Sequence, residues 1–130
     1  MKTLLLMRHG KSSWKDEEVP DHERPLKKRG RKDTKRIAKE ILKHELIPEL
    51  ILSSSATRAR ETVTTLTEKL ESNNRIVYVD ELYMGEPQDF IEALKDQAAD
   101  EDIVMIVAHN PGLEAYLQIV DGEIESLPTA

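Results

Sequence analysis

The chain has 130 residues, 38% of them apolar and 34% charged, a size and balance that suit one soluble globular domain, 1–130, and not two. It has no cysteine, which excludes a disulfide framework, a zinc–thiolate centre or a thiol nucleophile, and no apolar run approaches the roughly 18 residues of a spanning helix. The net charge of −6 hides a split: residues 1–65 carry 16 Lys and Arg against 10 Asp and Glu, whereas residues 66–130 carry 3 against 15. An anionic ligand is therefore expected on the first half. The short N-terminal apolar run does not read as a signal peptide, so the expected compartment is the cytoplasm, with no membrane partner.

Met1 to Met7 reads as a first strand, a short unbroken apolar run of the kind buried inside parallel sheets. It runs straight into Arg8-His9-Gly10-Lys11-Ser12-Ser13-Trp14. Ligands of open α/β sheets sit beyond the carboxyl ends of strands. There Arg8 offers a fork of donors suited to phosphate, and His9 a nitrogen nucleophile near neutral pH. Gly10 lets backbone approach a ligand closely, and Ser12 and Ser13 add hydroxyls. The alternative is an ordinary strand-to-loop turn. Residues 8–25 form a long polar loop carrying the charged run Lys15-Asp16-Glu17-Glu18, and a loop of that length is more often functional than idle. Trp14, the only tryptophan, reads as packing rather than as a wall for substrate.

Leu26 to Leu46 has helical periodicity, with Leu26, Gly30, Thr34, Ile37, Ala38, Ile41 and Leu42 on one face and a string of Lys and Arg on the other. Gly30 inside a helix marks close packing. The basic face reads as solvated and not as a nucleic-acid stripe, because no aromatic residues interleave with it. Pro48 is expected to end this helix. A second strand, Leu50-Ile51-Leu52, leads into Ser53-Ser54-Ser55-Ala56-Thr57-Arg58, where the serines or Thr57 would cap a helix reaching about Leu70. A helix N-terminus after a strand is a ready anion site, and Arg58 lies in its first turn. Arg60 faces elsewhere. Ile76 to Val79 is a third strand, followed by Asp80-Glu81-Leu82-Tyr83 and a helix from Pro87 to about Ala99. Ile103 to Ala108 is the fourth strand and the most apolar; it ends in His109-Asn110-Pro111-Gly112, with a last helix from near Pro111 to about Val120.

Strands alternating with helices predict an α/β fold: a three-layer α/β/α arrangement around a mostly parallel sheet with right-handed crossovers. Such a fold gathers strand ends that are distant in sequence, here those carrying Arg8 and His9, Arg58, Glu81 and His109. These are the parts needed to move a phosphoryl group to a histidine. Arg8, Arg58 and His109 would clamp its oxygens while His9 attacks phosphorus in line. With neither a Walker-type loop nor a dense carboxylate set for magnesium, the cations would be side chains.

These residues resemble a known family. Met7-Arg8-His9-Gly10 is similar to the signature of the histidine phosphatase superfamily, which includes the phosphoglycerate mutases. Arg8 to Trp14, then Asp21, Arg24-Pro25-Leu26 and Gly30, then Ser54, Arg58-Ala59 and Thr62, then His109-Asn110-Pro111-Gly112-Leu113-Glu114 resemble the small SixA-type phosphohistidine phosphatases over essentially the whole chain. The resemblance implies a phosphoglycerate mutase-like fold and a transient phosphohistidine on His9. It implies a phosphate pocket of Arg8, Arg58 and His109, with Gly10 and Ser12 beside them, and no metal or other cofactor. It also implies a phosphohistidine-bearing signalling protein as substrate and inorganic phosphate as product. Lys27 stands where relatives tend to carry a capping Ser or Thr, a departure that touches stability and not chemistry. The chain stops at Leu127-Pro128-Thr129-Ala130, where the family continues into another strand; the reading is a truncated or a naturally short member.

The phosphomonoesterases and mutases of the superfamily use a carboxylic acid to protonate the leaving oxygen. Glu81 is the candidate here, with a solvated loop carboxylate as the alternative. Rival functions are a phosphomonoesterase of the same superfamily, against which the lack of a capping insertion argues, and a non-catalytic phosphate- or phosphoprotein-binding module, which could dispense with His9.

Overall fold

A computed structural model of the chain describes residues 3–14, 18–110 and 112–120. Lys15 to Glu17, Pro111 as the opener of the last helix, and the Leu127–Ala130 tail lie outside the described residues. Four strands, β1 (Thr3–Arg8), β2 (Leu50–Ser54), β3 (Arg75–Val79) and β4 (Ile103–Ala108), form one sheet in the order β1-β4-β2-β3. Every neighbouring pair is parallel. The intervening helices are α1 (Lys28–Lys43), α2 (Thr57–Leu70) and α3 (Pro87–Gln97), and α4 (Gly112–Val120) follows β4.

The period-2 alternation of the strands sorts the core into two layers. Ile51, Met105 and Val107 face α1 and α2, where they meet Ala38, Ile41, Ala59, Val63 and Leu66. Leu50, Leu52, Val104 and Ile106 face the other way, onto Phe90, Ala93, Leu113 and Tyr116 of α3 and α4. Helices thus cover both faces, the α/β/α arrangement that the alternation of elements predicts. The chain steps from β1 to β2 to β3 and then returns to insert β4 between β1 and β2. A reversal of this kind opens a crevice at the carboxyl ends of the strands.

Several boundaries differ from the sequence reading. α1 starts at Lys28 and not Leu26, because Leu26 is held in an extended bridge with Ser12. It ends at Lys43, ahead of Pro48, and Glu45 then turns the chain at φ 56°. Leu42 lies off the buried stripe and is exposed. The N-cap of α2 is Ala56, with no side-chain cap; Ser54 Oγ instead accepts from the Ala56 N–H at 3.1 Å.

The close approach expected at Gly30 is to the active-site loop. A Cβ on Gly30 would lie 2.3 Å from the Lys11 carbonyl oxygen, and one on Gly10 would lie 2.8 Å from the Gly30 carbonyl oxygen. Backbone therefore packs on backbone, and the Lys27 N–H donates to Lys11 O at 2.9 Å. Gly30→Ala is expected to cost about 1–3 kcal/mol, the scale of overpacking, despite alanine's better helix propensity. A lowered urea midpoint would register it; an unchanged or raised midpoint would contradict the contact.

Candidate active site

The sheet register explains why two histidines 100 residues apart in sequence meet. Arg8 lies opposite Ala108 across β1 and β4, so the residues that follow, His9 and His109, leave the sheet side by side. Their ring centroids are 4.9 Å apart. Ser53 lies opposite Val107 on the other flank of β4, which brings Ser54 beside His109; Ser54 Oγ is 2.7 Å from His109 Nε2. Both histidines are buried.

Each has an assignable state. His9 Nδ1 lies 2.6 Å from the Gly10 carbonyl. A carbonyl only accepts, so the ring proton sits on Nδ1 and Nε2 keeps its lone pair. Arg58 Nε–H donates to that Nε2 at 3.4 Å. Burial, reinforced by the nearby guanidinium of Arg58, pulls His9 down to about 4 against the opposing effect of the Gly10 bond. Burial likewise pulls His109 down to about 3. At neutral pH both rings are neutral, and the Nε2 electron pair of His9 faces the Arg58 guanidinium. His109 Nδ1 is buried without a hydrogen-bond partner among the described residues.

Arg58, in the first turn of α2, is aimed by Asp21. Its Nη1 donates to the Asp21 carbonyl at 2.6 Å and its Nη2 to Asp21 Oδ2 at 3.1 Å. The same carboxylate accepts from Arg24 Nη2 at 3.1 Å and from the Tyr83 hydroxyl at 2.5 Å. These bonds, that of Tyr83 foremost, hold the Asp21 carboxyl well below the usual carboxylate range. Arg24 also donates to Ser12 Oγ and packs its guanidinium 3.6 Å from the centre of the Trp14 ring. Asp21 thus ties the long loop to α2 and orients two guanidiniums at once.

A pocket of about 470 Å³ results, lined by Arg8, His9, Lys11, Ser12, Trp14, Arg24, Lys27, Arg58, His109 and Asn110. Five cationic side chains surround the two neutral histidines, an environment suited to a dianionic phosphoryl group. Among the described residues, no group of three or more His, Asp or Glu is arranged to hold a metal ion. No helix among them is long and apolar enough to cross a membrane.

The structure brings Arg8, His9, Ser12, Arg58 and His109 to this pocket. Gly10 is beside it in a different role from that expected. Its N–H is committed to Thr62 Oγ1 at 3.0 Å and its carbonyl to His9, while its missing Cβ makes room for Gly30 and not for a ligand. Glu81 is not brought there at all: it is exposed and lines a separate groove with Tyr78, Asp89 and Asp96 between β3 and α3. The turn after β3 directs Tyr83 inward instead, 5.5 Å from the His109 ring. Glu81→Gln is therefore expected to leave turnover within about twofold of wild type, since general acid catalysis needs hydrogen-bond reach; a loss beyond tenfold would reinstate it as an acid.

Trp14 is not core packing; it is 71% exposed at the pocket rim. Lys27 lines the pocket too, so its departure from the family pattern touches the site and not only the helix cap. Local pattern gives no role to Asp21, Arg24 or Tyr83, although Asp21 and Arg24 stand in the family-like Asp21…Arg24-Pro25-Leu26 stretch.

The family model of the histidine phosphatase superfamily (branch 1) matches residues 4–83, which hold Arg8, His9 and Arg58. The chain belongs to this superfamily. An uncharacterised chloroplast protein of Arabidopsis thaliana is 30% identical over 98% of the chain, which spans 63% of that protein's length. A crystal structure of a candidate phosphohistidine phosphatase, SixA, from Agrobacterium tumefaciens superposes with a TM-score of 0.86 at 32% identity, covering 95% of this chain and 79% of that one. A structure of the protein histidine phosphatase SixA with tungstate shares the fold, with a TM-score of 0.83 at 21% identity over 98% of this chain and 83% of the other. The fold is thus the phosphoglycerate mutase-like one of these SixA neighbours.

The two buried histidines tie stability to pH. In the unfolded chain each would take up a proton near pH 6.5. In the folded protein they stay neutral until about pH 4 and about pH 3. The unfolded state therefore binds more protons between these limits, and stability falls as pH drops from about 6.5 towards 4. Urea midpoints between pH 7 and 4.5 should fall, with a shallower fall in His109→Gln; identical slopes would contradict neutral burial of His109.

Proposed function

We propose that this protein hydrolyses phosphohistidine on a protein substrate through a covalent phosphohistidine intermediate on His9, without a metal. The observation that carries the reading is the pair His9–Arg58: a neutral, tautomer-fixed imidazole whose lone pair faces the guanidinium best placed to hold a phosphoryl oxygen. Arg8, Arg58 and His109 grip the phosphoryl group in place of a metal. Ser54 Oγ accepts from the Ala56 N–H and can give its own proton to His109 Nε2, which leaves Nδ1–H as a donor to a phosphoryl oxygen.

In the first step the lone pair of His9 Nε2 forms the N–P bond and the substrate's P–N bond breaks, its electron pair returning to the leaving nitrogen. The His9 ring then carries a positive charge, which the Gly10 carbonyl stabilises at Nδ1–H. In the second step water attacks phosphorus, the P–Nε2 bond breaks, and inorganic phosphate leaves with one proton lost to solvent.

Phosphohistidine is preferred to a phosphate ester because, among the described residues, no carboxylic acid lines the pocket around His9 to protonate an alkoxide. Asp21 is held ionised, and Glu81 faces another groove. A protonated phosphoimidazole leaves as neutral imidazole and needs no such donor. The test compares hydrolysis of a chemically phosphorylated histidine peptide with that of small phosphomonoesters, both in EDTA. Preferential hydrolysis of the peptide that survives chelation supports the reading. Preference for an ester, or loss on chelation restored by a divalent ion, overturns it.

A further inference from the structure

The site has a second chamber. Beyond Arg58 and His109 lies a pocket of about 430 Å³, walled by Tyr83, Met84, Pro87 and Ala115 and edged by Asp21 and Glu86. Arg58, His109 and Asn110 line both chambers, whereas His9 lines only the first. His109 stands between His9 and Tyr83 in contact terms: its ring centroid is 4.9 Å from that of His9 and 5.5 Å from that of Tyr83. The Arg58 guanidinium carbon is 5.8 Å from the Tyr83 ring.

In-line phosphoryl transfer puts the leaving group on the side of phosphorus opposite the nucleophile. A phosphoryl group gripped between Arg58 and His109 would meet His9 in the first chamber and, through the residues that both chambers share, border the second. The two rims also differ in charge. Lys11, Arg24 and Lys27 line the first chamber, whereas the second has the carboxylates of Asp21 and Glu86 and no cation except Arg58, which Asp21 already pairs. Its walls are an aromatic ring and apolar side chains, with Met84 81% exposed at the edge.

We propose that this chamber is the leaving-group site and takes a flat, positively charged heteroaromatic ring: the protonated imidazole of the substrate's phosphohistidine. The inference rests on the reading of the protein as a phosphohistidine phosphatase. Tyr83 offers the ring an aromatic wall, Met84, Pro87 and Ala115 offer apolar contact, and Glu86 favours the protonated form. That form departs as neutral imidazole when the P–N electron pair returns to its nitrogen. Leaving groups that carry negative charge are disfavoured here.

The test compares kcat/KM for a phosphohistidine peptide with kcat/KM for phosphoramidate, whose leaving ammonia is too small to need the chamber. Ala115→Phe fills the chamber from α4. Met84→Lys brings a repelling charge at an exposed position that leaves the core untouched. Each is expected to lower the peptide-to-phosphoramidate ratio by about tenfold or more, the scale of lost pocket contacts. Trp14→Ala, on the opposite rim, should change both substrates in proportion. A ratio that stays within about twofold in both chamber variants, or that falls only in Trp14→Ala, overturns the assignment. Wild-type protein that hydrolyses phosphoramidate but not the phosphohistidine peptide overturns the functional reading, and the occupant of the chamber with it. Peptide turnover with an unmoved ratio overturns the chamber alone.

Discussion

His9→Ala is expected to abolish turnover and leave a folded protein. Removing the proposed nucleophile should lower kcat by about 10⁵–10⁶-fold, because the groups that act on it then have nothing to assist. The fold survives because the ring's neighbours are site groups and not core: the Gly10 carbonyl, Arg58 Nε and the His109 ring. Neither apolar cluster flanking the sheet includes His9. Its loss also removes a buried group that resists protonation, so the variant should tolerate mild acid better than wild type. Steady-state kinetics with a urea midpoint on the same preparation checks both halves. Activity within tenfold of wild type would remove His9 from the nucleophile's position.

Arg58→Ala should cost about 10²–10³ in kcat, the scale for removing one preorganised charge stabiliser. Arg58 Nε donates to His9 Nε2, and the direction of its guanidinium is set by two bonds to Asp21. Those bonds need the planar fork, so Arg58→Lys should recover little of the loss. Asp21 keeps Arg24 and Tyr83 as partners in either variant, so the loop need not unfold. A loss below tenfold in Arg58→Ala would remove Arg58 from the proposed phosphoryl clamp, and full rescue by lysine would show that a point charge suffices.

Much of this was legible from local pattern. Four apolar runs separated by amphipathic stretches identify the parallel sheet and its two helix layers, because strand burial and helix periodicity leave their mark within a few residues. His9 and His109 were readable as strand-end residues, and the register that pairs Arg8 with Ala108 makes them neighbours. Where reasoning missed, the determinant was non-local. Glu81 and Tyr83 sit two residues apart after β3, and nothing in their spacing says which faces the crevice; the 3₁₀ turn at Asp80–Leu82 turns Tyr83 inward. Asp21 sits in a long loop without periodicity, so its grip on Arg24, Arg58 and Tyr83 exists only once the loop is folded against α2. Trp14 was read as packing on composition, yet its partner is the guanidinium of Arg24 at the pocket rim.

The central claim is that phosphorus passes through His9. Rapid quenching of turnover into alkaline denaturant, which preserves phosphohistidine, followed by peptide mass spectrometry tests it directly. One phosphoryl group is expected on the peptide containing His9, formed within the first turnover and absent from His9→Ala. A phosphoryl group on His109 or elsewhere, or product formed with no phosphorylated peptide at any quench time, would contradict it.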